Sequence, residues 1–477
     1  MSRLSTISTP RRAGSRVAVN QIRAEGRPCV GALNMQQSSF AAPANDSPST
    51  DAKSRRPGVR QGPLAGVRVA DFCWMGVGAC ATRLLADFGA EVIRIEDRNR
   101  LDMPRRLPIY KGEARTYGEE DANPDPNKGG LFNNYNRNKL GVTINMRDPR
   151  GRALADRLIA ASSVVTENFA PGVMERWGLV YERLNELSPN VIFARMSGFG
   201  HSGPHAEYRS YGPVVQAVSG ISHISGLPGQ EPSGWGLSYM DNEAAFFNAS
   251  ALLTAIYHRN ITGVGTEIDV SAVEAGINLV GPILLDVAVN GRSTRGPDYP
   301  PGNRLEHPNA APHGVYPCLG EDRWVAIAVF NEAEWRGLVS VIGDREWTRD
   351  PRFSSQAARF ANQDALDAHI ADWTKGQDRH VLMHALQAKG VAAGAVQTTE
   401  DTIDHDPQIA GRGLFFELDH PVIGEALFEG TPVKFSRTVQ QNWRSAPLLG
   451  EDNAHVFKGL LGLGADEYEE YAAEGVI

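Results

Sequence analysis

Short apolar runs alternate with amphipathic segments from about residue 63 to the end of the chain. β-Branched or aliphatic runs bounded by Gly, Pro or Asn predict buried strands, and apolar positions three and four residues apart predict helices. The predicted strands are 67–72, 91–95, 142–145, 164–166, 191–196, 267–270 and 324–329. The predicted helices are 79–88, one opened by Asp148 and Pro149, a turn at 171–177, and 242–260, 273–289, 364–373 and 380–389. Strands that alternate with helices predict an α/β fold whose parallel sheet is covered on both faces.

The first 62 residues have a different composition. They contain ten Lys or Arg residues and three acids, are rich in Ser, Pro and Ala, and show no apolar period. Such a segment cannot bury enough surface to offset its ordering entropy, which predicts a disordered or targeting extension at 1–62. Three interpretations stay open: a plain tail, a start assigned too early with Met35 as the true beginning, or a transit peptide. The first two predict a cytoplasmic protein, and the third predicts a mitochondrial or other organellar one.

The composition of the chain excludes several classes of function. The 477 residues carry a formal net charge of −8, which gives no sign of a nucleic-acid partner. No Cys-x-x-Cys pair and no His at metal-ligand spacing accompany the cysteines, which predicts no metal site and a reducing compartment. No apolar run approaches the ~20 residues of a membrane helix, so we expect no membrane association. The cysteines are Cys29, Cys73, Cys80 and Cys318.

A glycine pattern after the first strand is close to a dinucleotide-binding fingerprint. Residues 76–81 read Gly-Val-Gly-Ala-Cys-Ala, and Glu96 ends the next predicted strand. In such a fingerprint the glycines admit a pyrophosphate and the acid binds a ribose. Three residues separate Phe72 from the first glycine, so the turn is looser than the fingerprint requires. A generic strand–helix turn is the preferred interpretation, and an NAD-dependent oxidoreductase stays as an alternative.

Several blocks follow one another in a specific order from residue 63 to the end. The blocks are 63–71, 85–96, 136–139, 167–178, 197–200, Asp241 with 259–265, 350–353 and 446–451. Their order and spacing resemble those of the class III CoA-transferase family, which includes formyl-CoA and carnitine CoA-transferases. The resemblance implies an enzyme that moves CoA from an acyl-CoA donor to a carboxylic acid acceptor. CoA thioesters are then substrates, and no permanently bound cofactor is expected.

Asp241 aligns with the nucleophilic aspartate of that family. Exchange of one thioester for another needs neither ATP nor a metal, because a carboxylate can attack the thioester and carry the group as an anhydride and then an aspartyl-CoA thioester. The start of a predicted helix favours an ionised carboxylate, and its N–H groups suit an oxyanion. Asp is also a common N-cap, so a purely structural role is the competing interpretation.

The resemblance also implies contacts with substrate. Arg147, Arg176 and Arg209 align with residues that meet the CoA phosphates; Arg98 follows Asp97, which takes the place of a family arginine. The other aligned CoA contacts are Met75 and Ile144 near the nucleotide, and Asn168 and Phe169 along the adenosine and pantetheine path. Tyr211 matches a transferase tyrosine whose hydroxyl bonds an acyl oxygen.

Acyl-CoA racemases of the same superfamily are the nearer alternative. Their proton transfer needs an acid and a base on opposite faces of the α-carbon. Where the racemases have Gly-His-Asp, this sequence has Ser210-Tyr211-Gly212, so both the His and the Asp are missing. His201 and His205 are predicted to be surface loop residues. Gly76 replaces a polar residue of formyl-CoA transferases, which disfavours formyl or oxalyl substrates. Transferase is therefore the preferred function.

Domain organisation follows from the pattern and the resemblance together. A Rossmann-like large domain is predicted at 63–290, a linker with a small α+β domain at 291–395, and a C-terminal segment at 396–477 that returns to the large domain. An interlocked homodimer is expected. The 300–313 loop, with Asn303, Arg304 and His307, is either an ordinary linker or a site for a second carboxylate of a dicarboxylic acid.

Overall fold

The structure, a computed structural model, describes residues 62–106, 125–227, 229–292, 302–305, 308–438 and 444–477. Its parallel sheet has six strands: β1 Arg68–Asp71, β2 Glu91–Glu96, β3 Leu140–Thr143, β4 Val164–Glu167, β5 Ile192–Ser197 and β6 Thr266–Ser271. A second, antiparallel sheet has three strands: β7 His313–Pro317, β8 Trp324–Ala328 and β9 Ala392–Ala395. An antiparallel pair follows: β10 Phe415–His420 and β11 Gly424–Glu429.

Helices cover both faces of the parallel sheet and one face of the small sheet. Those up to β6 are α1 Val77–Asp87, α2 Gly130–Tyr135, α3 Pro149–Ala160, α4 Val173–Arg176, α5 Tyr181–Leu187, α6 Gly212–Val218, α7 Ile221–Ile224 and α8 Tyr239–Thr262. The later ones are α9 Ala272–Leu279, α10 Gly281–Asn290, α11 Glu332–Ile342, α12 Gln356–Ala361, α13 Gln363–Thr374, α14 Arg379–Gln387, α15 Pro407–Arg412 and α16 Ala465–Ala473.

The predicted α/β class is confirmed, and local signals explain several element boundaries. Asp148 caps α3 as expected, since its carboxylate accepts the Arg150 N–H at 2.8 Å and Pro149 takes the first turn. The helix predicted at 273–289 was wrong as a single element. It is divided into α9 and α10, which bend by 67° where Pro282 lacks the N–H that a continuous helix needs.

The parallel strands lie in the order β3-β2-β1-β4-β5-β6. The chain therefore leaves β1 toward one edge and β4 toward the other, and the carboxyl ends of these two strands form a topological switch point. In open parallel sheets ligands bind in the crevice at such a point. The loops that follow β1 and β4 are thus the expected place for a substrate.

Buried ion pairs join the sheet to its covering helices. The Lys139 ammonium and the Asp71 carboxylate, both 0% exposed, lie 3.2 Å apart at the carboxyl end of β1. Arg137 reaches Asp87 at the end of α1 at 2.8 Å. Residues 136–139, one of the blocks that carried the family resemblance, are all buried. This block therefore connects α1 to the sheet through paired charges, and either partner alone would be costly to bury.

The segment after the small sheet packs partly on the parallel sheet. Val456, Phe457 and Ile477 belong to the apolar core that contains β2, β3 and α3. The Asp452 carboxylate accepts the Gly141 N–H of β3 at 2.7 Å. The small antiparallel sheet has a core of its own, formed with α11, α13 and α14. The predicted domain boundaries stay a prediction.

Candidate active site

Asp241 lies in the first turn of α8, and Ser238 is the residue that precedes the helix. The helix starts at Tyr239 rather than at the predicted residue 242, so the interpretation of Asp241 as an N-cap was wrong. Burial raises the pKa of the half-buried Asp241 carboxyl, while a hydrogen bond from the Ser238 side chain lowers it in part. Ordinary capping therefore does not account for this carboxylate.

Two glycines and a tyrosine surround the carboxyl group. A Cβ added to Gly76 would lie 3.5 Å from the Asp241 Cβ and 3.6 Å from Cε2 of Tyr135. A Cβ added to Gly212 would lie 2.9 Å from Oδ2 of Asp241. The Tyr135 hydroxyl donates to Oδ1 of Asn242 at 3.4 Å. Loops after β1 and β5 and the end of α2 thus converge on the start of α8. The sequence did not predict that Tyr135, Gly212 or Asn242 belongs to this site.

The loop after β1 is bound to the loop after β4 across the switch point. The Asn168 side chain accepts the Trp74 N–H and donates to the Trp74 carbonyl, each at 2.7 Å. Met75 adopts a left-handed backbone conformation with φ of 62°. Its N–H donates to the Asp102 carboxylate, which is paired with the buried Arg94. These bonds hold Gly76 against Asp241.

The four arginines predicted to bind CoA are all exposed. The Arg98 Nε donates to the Thr143 hydroxyl at 3.2 Å, beside the segment after residue 444. Across the residues whose placement is given, none of the four forms an ion pair with an acid. Their charges are therefore available to an anionic ligand. The arginines are Arg98, Arg147, Arg176 and Arg209.

The other predicted CoA contacts divide into two groups. Phe169 packs edge-on against Trp74 with ring centroids 5.8 Å apart, so it lies beside the switch-point loop. Ile144 is 1% exposed within the core of the sheet, which gives it a packing role; its contact with the nucleotide stays a prediction. Tyr211 is 65% exposed and immediately precedes α6, next to Gly212. Its contact with the acyl group of a substrate stays a prediction.

A buried cluster at the ends of β4 and β5 was not predicted. Burial raises the pKa of Glu167 to about 7, although the Arg195 guanidinium, 3.0 Å away, and the Phe169 N–H lower it. The His201 imidazole lies 3.3 Å from the Glu167 carboxylate, and its side chain is only 7% exposed. The prediction that His201 is a surface loop residue was therefore wrong, because the loop after β5 turns back over the sheet. His205 is exposed and stacks on Tyr208.

The proposed second-carboxylate loop is only partly described, since His307 and Pro300 lie outside the described residues. Arg304 already bridges the carboxylates of Asp364, which it contacts at 2.5 Å, and Asp367, at 2.9 Å. The two acids already offset the guanidinium charge, although both contacts use Nη2 and leave its other N–H groups unused by them. Among the residues with a described position, no group of three His, Cys, Asp or Glu side chains is arranged to hold a metal ion.

Comparison with known proteins identifies the family of this chain. The profile of CoA-transferase family III matches residues 64–453. A probable CoA-transferase of Mycobacterium tuberculosis is 32% identical over 87% of this chain, which spans 50% of that relative's length. The succinyl-CoA–D-citramalate CoA-transferase of Chloroflexus aurantiacus is also 32% identical, and the match covers 87% of this chain and 98% of the length of that relative.

A solved structure agrees with these matches. A CAIB/BAIF family protein from Brucella suis superposes with a TM-score of 0.73 and 29% identity, and it covers 84% of this chain and 100% of its own. The resemblance inferred from the sequence blocks is thereby confirmed: the chain is an enzyme that belongs to CoA-transferase family III.

Proposed function

We propose that this enzyme transfers CoA between small carboxylic acids with Asp241 as its nucleophile. The observation that carries the proposal is the setting of Asp241. Its carboxylate lies at the N-terminus of a long helix, carries a raised pKa and is flanked by glycines that leave it accessible. A more basic carboxylate is a stronger nucleophile once ionised, and the positive end of the helix dipole favours the ionised form.

The transfer balances in four steps. The Asp241 carboxylate attacks the carbonyl of the donor thioester, the C–S bond breaks, and the CoA thiolate leaves behind an aspartyl anhydride. The thiolate then attacks the aspartyl carbonyl and releases the donor acid, which gives an aspartyl-CoA thioester. The acceptor carboxylate attacks this thioester, and the thiolate leaves again. Finally the thiolate attacks the acceptor carbonyl and frees Asp241. Covalent catalysis divides one difficult exchange into easier ones.

CoA itself is proposed to bind at the switch point. Phe169 and Met75 border the crevice, and the exposed Arg98, Arg147, Arg176 and Arg209 supply positive charge for the phosphates. Loss of one such contact is expected to raise KM for CoA thioesters, and the affinity should weaken with salt.

The printed names of relatives suggest where to look for substrates. They include a succinyl-CoA–D-citramalate CoA-transferase and a succinate–glutarate CoA-transferase. The test is a matrix of acyl-CoA donors against free acids, dicarboxylic and monocarboxylic, with each new CoA thioester measured by mass spectrometry. Transfer to at least one acid supports the proposal. Hydrolysis or isomerisation of the donor without transfer would overturn it.

The pH dependence should show the raised pKa of Asp241. Only the ionised carboxylate attacks, so kcat/KM is expected to fall as the pH decreases through that pKa. Because burial raises the pKa above its ordinary value of 3.8, the decline begins at a higher pH than for an exposed aspartate. The measurement is kcat/KM against pH under conditions in which the fold is intact. A rate that stays constant down to about pH 4 contradicts the assignment.

We also propose that the enzyme is a homodimer. The helix α10 has no buried residue although most of its side chains are apolar, and Leu285 and Val289 are 65% and 76% exposed. Tyr257 and Ile261 of α8 are also exposed, at 69% and 65%. An apolar helix surface of this kind needs a covering partner. A second copy of the chain can cover this surface, because in a two-fold dimer the same patch of each subunit faces that of the other. Across the described ranges, no single helix has the length and hydropathy of a membrane span, whereas the bent pair of α9 and α10 has them when the two are taken together.

Charge placed on α10 should prevent this dimer from assembling. The double variant Leu285→Glu/Val289→Glu buries two carboxylates in the proposed interface, so it is expected to elute as a monomer of 51.8 kDa where the wild type elutes at twice that mass. Light scattering coupled to gel filtration measures the mass. The control is Val381→Glu on α14, which is 68% exposed and should leave the dimer intact. A monomeric wild type would refute the proposal.

A further inference from the structure

A buried carboxyl and a buried imidazole lie beneath the loop that follows β4. The Glu167 side chain at the end of β4 is 1% exposed, and its Oε1 lies 3.3 Å from Nε2 of His201, whose side chain is 7% exposed. Among the residues with a described placement, neither ring nitrogen of His201 has a hydrogen-bond partner of good geometry. Polar atoms are rarely buried in this state. A protonated Glu167 can supply the donor that Nε2 lacks.

The backbone of the loop after β5 places the imidazole beside Glu167. Gly200 has φ of 83°, in the left-handed region that favours glycine, and the chain turns there. The N–H of the next residue, His201, donates to both oxygens of the Asp269 carboxylate on β6, each at 3.0 Å. The position of the ring is therefore fixed by the main chain, and its two nitrogens are left to respond to Glu167.

The other charges that face Glu167 come from β5, α4 and β6. The Arg195 Nε on β5 donates to Glu167 at 3.0 Å, and the same guanidinium contacts Glu175 on α4 and Glu267 on β6. Burial raises the pKa of Glu167 to about 7, and the Glu175 charge adds to this, while Arg195 lowers it. Burial and the Arg195 charge lower the pKa of His201. The pair therefore gains or loses one proton near neutral pH.

The second oxygen of the Glu167 carboxyl holds the loop after β4. Oε2 accepts the Phe169 N–H at 2.6 Å. Asn168 bonds to both the N–H and the carbonyl of Trp74, and the Phe169 ring packs against the Trp74 ring. A hydrogen bond to an ionised acceptor is roughly twice as strong as one to a neutral acceptor. Protonation of Glu167 thus weakens the attachment of the loop that borders the proposed CoA crevice.

We propose that Glu167 positions the CoA-binding loop through the Phe169 N–H and that a proton shared with His201 loosens this loop. The inference rests on the proposed binding of CoA at the switch point. CoA then binds more tightly to the form of the enzyme in which Glu167 is ionised, because that form holds Phe169 in place. By linkage, CoA binding releases the proton, and the affinity for CoA decreases as the pH falls through about 7. Glu167 is a positioning residue, since it acts on CoA through the loop.

Calorimetric titration with CoA at about pH 6 and about pH 8, on either side of the expected midpoint, measures the effect as a ratio of two Kd values. Glu167→Gln keeps an acceptor for the Phe169 N–H but does not titrate, so its ratio gives the contribution of the CoA phosphates alone. The wild-type ratio should exceed it by about fivefold, at the lower end of typical coupling between sites. At the higher pH the Kd of Glu167→Gln should be about fivefold above that of the wild type.

Two further variants change the proton affinity of Glu167 without replacing it. The Glu175 side chain is 37% exposed, so Glu175→Gln should fold, and the loss of its charge lowers the pKa of Glu167. His201→Leu removes the acceptor of the shared proton. Both variants should move the ratio toward that of Glu167→Gln. The control is His205→Gln, on the same loop but exposed and stacked on Tyr208, which should retain the wild-type ratio.

Thermal melts at both pH values show which variants fold, and Glu175→Gln decides if Glu167→Gln does not. A wild-type ratio equal to that of Glu167→Gln, or unchanged in Glu175→Gln, overturns the inference while the proposed CoA binding stands. An unchanged ratio in a folded His201→Leu overturns the role of His201. A wild type that binds no CoA at either pH overturns both the inference and the proposed function.

Discussion

The variant Asp241→Asn is expected to lose CoA transfer by about four orders of magnitude or more while it still binds CoA. An amide matches the shape of the carboxylate, but it does not attack a thioester. Burial raises the pKa of this group and so disfavours its charged form, and a neutral amide is therefore expected to be tolerated there. The loss should therefore appear in kcat, with the Kd for CoA changed by less than about threefold.

Single-turnover transfer and calorimetric titration with CoA measure the two quantities. The control is Glu243→Gln, which removes one negative charge from the first turns of the same helix and should retain activity. Trapping gives an independent measurement. Hydroxylamine added during turnover cleaves an aspartyl thioester, so the hydroxamate should appear on Asp241 in peptide mass spectra. Near-normal transfer by Asp241→Asn, or a hydroxamate on another acid, would falsify the nucleophile assignment.

Replacing Lys139 with methionine should be the most destabilising conservative substitution near the site. Burial by itself raises the pKa of Asp71, and the Lys139 ammonium with Arg94 more than reverses this, so the Asp71 carboxyl is held ionised. Removal of the cation leaves a negative charge at 0% exposure, which costs about 3–5 kcal/mol. The Asp71 carboxylate also accepts the Cys73 N–H at the start of the loop that leads to Gly76.

Denaturant midpoints of the single and double variants test this coupling. Lys139→Met should lower the midpoint strongly, and the added change Asp71→Asn should recover part of the loss, because the uncompensated charge is gone while hydrogen bonds to Thr82 and Thr166 remain available. Lys375→Met, at an exposed position, is the control and should change little. If Lys139→Met is as stable as this control, the pair does not stabilise the fold as argued.

Several features of the fold could be predicted because they depend on near neighbours in sequence. The alternation of apolar runs with amphipathic segments predicted the α/β class, and Asp148 with Pro149 predicted the start of α3 correctly. β3 was predicted at 142–145 but lies at Leu140–Thr143. The prediction was displaced because the block before the strand, Asn136–Lys139, is polar although it is buried. A hydropathy pattern treats buried ion pairs as exposed charges.

The residues of the candidate site also divide into those that the sequence predicts and those that only the fold brings together. Asp241 was chosen as the proposed nucleophile because it aligns with the family's aspartate, and that alignment rests on the order of blocks along the chain. Its immediate neighbours were not found, since Tyr135 and Gly212 come from distant segments and an isolated glycine or tyrosine carries no local signal. His201 was placed on the surface because a polar loop residue usually lies there, whereas the loop after β5 buries it against Glu167.

By itself, then, the sequence determined the class of the fold and the family, and it supplied Asp241 as the proposed nucleophile, because periodicity and ordered motifs are encoded along the chain. Tertiary structure alone decided which charges are buried in pairs and which arginines are open to a ligand. It also decided which glycines adjoin Asp241. These properties depend on contacts between residues far apart in sequence, and burial changes both the pKa of a group and the space around it only when those contacts form.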